Sequence, residues 1–235
     1  MGEGVKTFDC EGRSTREINM FLKEAASRGL EAEVILLNPD SRHNLAVGLT
    51  TPLSIQIEGH VGYYCAGLCE GVTVDVKGGA GWGLGENLMA GRVQITGSAG
   101  SAAGATMRGG TVIVGGDAGA RCGVAMKGGT LVVGGDVGYM TGFMMQKGVI
   151  IVGGNAGEAL GDSLYEGKIY IRGRIDALGS DAIHAELTEA DITLLSDALL
   201  DAGMDMVPAD FKKIVSGKKL YNFDKSEKEI WKTAL

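Results

Sequence analysis

Aromatic residues make up only 6% of this chain of 235 residues, and proline occurs just 3 times. So little proline excludes collagen, whose triple helix needs glycine at every third position with abundant proline. Histidine occurs 3 times and cysteine 4 times, and Cys10, Cys65, Cys69 and Cys122 form no CxxC pair. That leaves no zinc-ligand spacing and no disulfide framework, so the thiols are expected to be reduced. No run of about 18 apolar residues occurs, as a membrane-spanning helix would require. The opening MGEGVKTFDC lacks the charged-then-apolar pattern of a secretory signal, and a soluble, cytoplasmic protein is expected. There is no polybasic stripe of the kind a nucleic-acid backbone demands. Neither nucleic acid nor membrane is expected as a partner.

Glycine is what the chain has in excess, with 40 residues. The formal net charge is −7, yet between Gly59 and Gly173 eight acids balance eight bases, so the flanks carry the whole excess. Within that neutral stretch Gly59, Gly78, Gly97, Gly116, Gly135, Gly154 and Gly173 recur every 19 residues. Two further glycine columns share the period, one from Gly62 to Gly157 and one from Gly85 to Gly161. A fixed short period is the signature of a stacked repeat.

The remaining columns select the architecture. Val74, Val93, Val112, Leu131, Ile150 and Ile169 form one column, and Val76, Ile95, Val114, Val133, Val152 and Ile171 another, two residues on. A spacing of two with β-branched residues places both on one face of a strand. Val61, Ala80, Ala99, Ala118, Val137, Ala156 and Ile175 make a third apolar column, and Cys69, Leu88, Met107, Met126, Met145 and Leu164 a fourth. Four apolar columns would line a coil whose turns stack about 4.8 Å apart. The expected fold is therefore all-β, a right-handed parallel β-helix of about seven coils of 19 residues, with short helical caps at both ends. Leucine-rich and helical repeats fit poorly, because neither a leucine and asparagine frame nor a continuous helical stripe is present.

Residues 1–52 read as an N-terminal cap of helix and strand, 53–178 as the β-helix, and 179–235 as a C-terminal helix with a tail directed at a partner. Ser14 with Glu17 predicts a capping box, followed by a helix carrying Ile18, Phe21, Leu22 and Ala25 and ending at Gly29. EVILLNPD and NLAVGL read as strands. Thr188 with Asp191 predicts a second capped helix carrying Ile192, Leu195, Leu199 and Leu200, which stops at Gly203. The tail, with Tyr221, Phe223 and Trp231, reads either as lying on a partner or as packed on its own solenoid.

The period converts sequence offsets into neighbours, so each column can be searched for chemistry. One reads His60, Gly79, Ser98, Asp117, Asp136, Asn155. Asp117 and Asp136 on adjacent coils could share a proton or hold a cation; equally, Gly-Asp and Gly-Asn favour turns through bonds to local backbone. Another column reads Arg108, Lys127, Gln146, Tyr165: either two stacked cations able to receive an anion or a partner's carboxylates, or a solvated ladder. No catalytic, cofactor-binding or metal-binding residue can be assigned. Residues that break columns of small side chains are the interface candidates: His60, Tyr63, Tyr64, Trp82, Asn87, Tyr139, Phe143, Asp162 and Tyr165.

EGHVGYYCAG at 58–67, GGAGWGLGENLMAG at 78–91, ARCGVAMKGG at 120–129 and GEALGDSLYEGKIYIRG at 157–173 carry a family resemblance. The chain resembles the C-terminal GXGXG β-helix domain of glutamate synthase in free-standing form, and is similar to the small subunits of archaeal-type glutamate synthase and N-methylglutamate synthase. The resemblance implies a non-catalytic structural subunit in nitrogen metabolism. It would link a class II glutamine amidotransferase subunit to an FMN-dependent synthase subunit. FMN and an iron–sulfur cluster are then expected on the synthase partner and no cofactor on this chain; Cys10, in a capping segment, does not match the amidotransferase's nucleophile. Two alternatives stay open. One is the β-helix subunit of a formylmethanofuran dehydrogenase-like complex; the other is an independent, glycan-active β-helix using Asp117 and Asp136.

Overall fold

The computed structural model describes residues 5–27 and 33–220. Its framework is one sheet of 11 strands, nine of them parallel in chain order. The repeat supplies β3 (Ser54–Glu58), β4 (Glu70–Val76), β5 (Ala90–Ile95), β6 (Thr111–Val114), β7 (Lys127–Val133), β8 (Lys147–Val152) and β9 (Lys168–Ile171). Val74 pairs with Val93, Val112 with Leu131 and Ile150 with Ile169, so the 19-residue offset is the register of the ladder. On a second wall, Val61, Ala80, Ala99, Ala118, Val137, Ala156 and Ile175 bridge in parallel one after another. The chain is thus a parallel β-solenoid of about seven turns, as the period predicts. All four apolar columns point into one continuous core.

Before the repeat, β1 (Lys6–Asp9) and β2 (Glu33–Leu37) add two more parallel strands to the sheet. Between them α1 (Thr15–Ser27) opens on the expected box: the Ser14 hydroxyl accepts from the Glu17 amide, and the Glu17 carboxylate accepts from the Ser14 amide. Its Ile18, Leu22 and Ala25 are buried, and Phe21 stacks on Phe8 at 4.4 Å. The expected stop at Gly29 lies outside the described residues.

NLAVGL at 44–49 is not a strand. Asn44, Ala46 and Gly48 adopt positive φ of 58, 54 and 66°, so the segment bends instead of extending. It stacks on the next turn, with Asn44 N–H donating to the Tyr63 carbonyl at 2.7 Å and Gly48 N–H to Gly67 at 2.9 Å. Leu45, Ala46 and Leu49 are buried as the apolar run suggests, but in a corner of the stack.

The far end is closed by reversal of chain direction. β11 (Lys212–Ser216) pairs antiparallel with both β9 and β10 (Ala182–Ala185), so no parallel strand edge remains there to continue the stack. α2 (Glu189–Asp201), capped by Thr188 and Asp191 as expected, lies on the outer face of the sheet. Leu195, Leu199 and Phe211 bury Ile113, Val132, Ile151 and Tyr170 there. The same column reads Gln56, Asp75 and Gln94 in the preceding coils, outside the apolar cluster under α2, whose last residue Asp201 meets that side of the sheet through polar bonds to Arg92. Leu200, placed by sequence on the helix's apolar face, is 82% exposed. The tail residues Tyr221, Phe223 and Trp231 lie outside the described residues.

Candidate functional site

The corner column that begins at His60 is a chain of side chain to backbone bonds between successive coils. His60 Nδ1 accepts from Gly79 N–H at 2.9 Å, Ser98 Oγ from Asp117 N–H at 3.1 Å, and Asp117 Oδ1 from Asp136 N–H at 2.8 Å. Asp136 Oδ1 then accepts from Asn155 N–H at 2.7 Å, and Asn155 Oδ1 from Arg174 N–H at 2.8 Å. Each polar side chain supplies an acceptor to a corner amide one coil on. The Asn155 amide nitrogen also donates to both oxygens of Asp136. The Asn155 backbone and side-chain donors hold the Asp136 carboxyl below the usual carboxylate range, a site tuned to stay ionised rather than to share a proton.

Beside this ladder the rings stack. His43 and Tyr63 lie 4.2 Å apart at 12°, Tyr63 and Trp82 5.4 Å apart at 18°, and Tyr64 meets Tyr63 edge-on at 6.5 Å. The coil spacing of about 4.8 Å is close to the spacing of offset-stacked rings, so rings at one place on adjacent coils, such as Tyr63 and Trp82, stack. Each ring lies flat over the glycine of the following turn; a Cβ at Gly81 would sit 2.4 Å from Tyr63 Cδ1, and one at Gly100 2.5 Å from Trp82 Cδ1. Ser101 and Ala120 occupy the next two places in the column before Tyr139, so no ring stacks on Trp82 from the following coil, and Trp82 is 55% exposed. His43 escapes the column search because it precedes Tyr63 by 20 residues rather than 19, and its Nδ1 accepts from Tyr63 N–H at 2.8 Å.

The remaining candidates sit on later coils. Tyr139 and Tyr165 are exposed, while Asn87, Phe143 and Asp162 are half-buried. Burial raises the Asp162 carboxyl, but donors at the Ser180 amide and the Ser163 hydroxyl outweigh it and hold the group below its ordinary value. Thus His43, Tyr64 and Trp82 come together around Tyr63, with His60 in the ladder beside them. Phe143 and Asp162 succeed one another in a second column, and Tyr165 lines a separate groove of about 600 Å³ with Lys127, Met144, Gln146 and Lys147. Lys127 and Lys147 stand directly opposite each other on β7 and β8. Neither they nor Arg108, one coil earlier, forms an ion pair with a described residue. Like charges directly opposite across a ladder oppose pairing.

All four cysteines are buried and free. Burial pushes the Cys65 and Cys122 thiols up to about 12, and raises Cys10 and Cys69 as well. Such thiols are poor nucleophiles and poor metal ligands. Titration of the native protein with a thiol-specific disulfide reagent at mildly alkaline pH is expected to give no rapid reaction; guanidinium should expose all 4. A thiol reacting at the rate of free cysteine in the native protein would contradict this assignment. Among the described residues no three His, Cys, Asp or Glu side chains gather as a metal would require, and no helix is long and apolar enough to cross a membrane.

No family model matches the chain. Protein GlxC of Rhizobium meliloti (strain 1021) is similar to it, with 44% identity over 69 residues. The matched stretch spans 29% of this chain and 30% of that protein.

Proposed function

We propose that this chain is a structural, non-catalytic subunit of a glutamate-synthase-like complex, of the glutamate or N-methylglutamate synthase type. It would hold a class II glutamine amidotransferase subunit against an FMN-dependent synthase subunit. The observation that carries the reading is the exposed ring stack of Tyr63, Tyr64 and Trp82 on a rigid wall of coils. Exposed aromatics anchored on regular structure are the groups that dominate the energetics of protein interfaces. The corner carboxylates that a glycan-active reading needs are engaged by backbone amides of the solenoid. The GXGXG resemblance, together with the local similarity to Protein GlxC, supports the coarser half of the proposal, a glutamate-synthase-like role.

On this reading FMN and the iron–sulfur cluster belong to the synthase subunit. The cysteines here are dispersed in the core and do not form a cluster-ligating set. Co-expression with an amidotransferase subunit and an FMN-dependent synthase subunit is expected to give one co-eluting complex. The double variant Tyr63→Ala with Trp82→Ala should weaken it about tenfold or more, since a buried aromatic anchor contributes about 2 kcal/mol or more. Assembly of an active synthase from the other two subunits alone would overturn the proposal.

A further inference from the structure

Resting on the reading of this chain as a subunit of a complex, we infer that the groove between Lys127, Lys147 and Tyr165 receives an acidic, extended segment of a protein partner. The groove lies on a different part of the coil surface from the ring stack around Trp82, and three observations select its occupant.

The first is charge. Arg108, Lys127 and Lys147 follow one another on three successive coils without an ion pair among the described residues, and Lys127 faces Lys147 across adjacent parallel strands. The repeat has equal numbers of acids and bases, so this line of cations is a local concentration and not part of a basic surface. A row of unneutralised like charges is favourable only when opposite charge is laid along it. Among the described residues Glu166 is the one carboxylate on the wall of the groove, against two lysines.

The second is length. Three coils at about 4.8 Å place the cations over roughly 10 Å, the span of about three residues of extended chain. Acidic residues at alternate positions lie about 6.6 Å apart on one face of such a segment, a spacing that long lysine and arginine side chains about 4.8 Å apart can meet by reorienting.

The third is the remainder of the wall. Met144 is 47% exposed and Tyr165 39% exposed, giving apolar surface beside the charges. A peptide offers carboxylates and apolar side chains in alternation on its two faces. A nucleic acid would need basic residues continuing beyond these three, and the neutral repeat does not supply them.

The test has two arms. In the first, the isolated chain is titrated against a fluorescein-labelled peptide of alternating Glu and Tyr, followed by fluorescence anisotropy. Binding that weakens as salt rises, and that falls about tenfold or more in Lys127→Glu with Lys147→Glu, is the expected result. The neutral pair Lys127→Gln with Lys147→Gln should fall by less, and circular dichroism checks that every variant keeps the β fold of the parent. Equal binding of the peptide by parent and reversed variant overturns the inference; so does equal or tighter binding of a single-stranded DNA oligomer. In the second arm, the co-purified complex is treated with a carbodiimide, which joins a lysine amine to a carboxylate as an amide with loss of water. Mass spectrometry is expected to find Lys127 or Lys147 joined to Asp or Glu of a partner subunit, and a complex in which neither lysine is joined overturns the inference. Peptide binding without any complex would instead remove the proposed partnership and leave the groove's chemistry standing.

Discussion

Replacing Asp191 with asparagine is expected to lower the stability of the fold by about 3–5 kcal/mol, the range for breaking a buried, hydrogen-bonded ion pair by removing one partner. Asp191 is fully buried, and five donors converge on it. Tyr170 Oη donates at 2.6 Å, Lys213 Nζ at 2.6 Å and Lys168 Nζ at 3.1 Å, while Thr188 donates from its amide at 2.9 Å and its hydroxyl at 2.7 Å. Through these bonds one carboxylate ties the start of α2 to β9 and β11, the two strands that close the stack. Lys213 is 11% exposed at its side chain and would be left beside a neutral amide; Lys168, 43% exposed, can turn to water and contributes less.

Burial alone would raise the Asp191 carboxyl, but Lys213, Tyr170 and Thr188 outweigh it and hold the group far below the carboxylate range. Its folded pKa is depressed, so its contribution is complete above the unfolded value, near 3.8, and is lost as pH falls through the folded value. The parent and Asp191→Asn proteins should therefore differ in melting temperature by about 10 °C or more at neutral pH. The gap should narrow only in strong acid. Thermal unfolding followed by circular dichroism measures it. Asp197→Asn, an exposed change on the same helix, should shift stability by no more than about 0.5 kcal/mol. Equal losses in the two variants would show that the buried network does not hold α2 in place.

Gly154→Ala is expected to cost about 3 kcal/mol or more, and Gly161→Ala only about 1–2 kcal/mol, although both replace a repeat glycine by one methyl group. A Cβ at Gly154 would lie 2.6 Å from both the carbonyl carbon and the oxygen of Gly135, and 2.2 Å from Asp136 Oδ1. The Asp136 carboxylate could move only by releasing Asn155 N–H. The Gly135 backbone cannot retreat, because its carbonyl accepts from Gly154 N–H at 3.0 Å. Any relief therefore separates two coils. At Gly161 the backbone has φ +66°, but the nearest atom to a Cβ is Ile169 Cδ1 at 3.4 Å, so the cost is that of a left-handed residue in adequate space. Guanidinium unfolding of the two alanine variants decides the matter. If Gly161→Ala were the more damaging, conformation rather than close approach of coils would be the main reason for glycine at these corners.

The stacked fold was legible because each coil repeats the same local problem. Strand alternation places Val74 and Val76 on one face, and the period of 19 then superposes them on Val93 and Ile95, so periodicity alone orders the core. Both capping boxes were legible for the same local reason. The apolar switch from Gln94 to Ile113 in the intervening column also stood in the sequence, and it marks the coils that α2 covers; recognising it required treating outward positions as a possible second core. His43 is hidden by a single residue of register, and 44–49 looks like a strand because burial in a corner and burial in a strand produce the same apolar run.

What the sequence by itself determined is the coil: which side chains face inward, where the chain must turn, and that its turns stack in parallel. These follow from spacings of two and of 19 residues, which any copy of the repeat displays. Only the tertiary structure decided how the stack is closed and what its surface presents. β11 enters between β9 and β10, Lys213 reaches Asp191 from 22 residues away, and His43 stacks on Tyr63 from one residue outside the period. Those contacts join segments that share no period, so their partners are set by where the folded chain returns rather than by any local pattern.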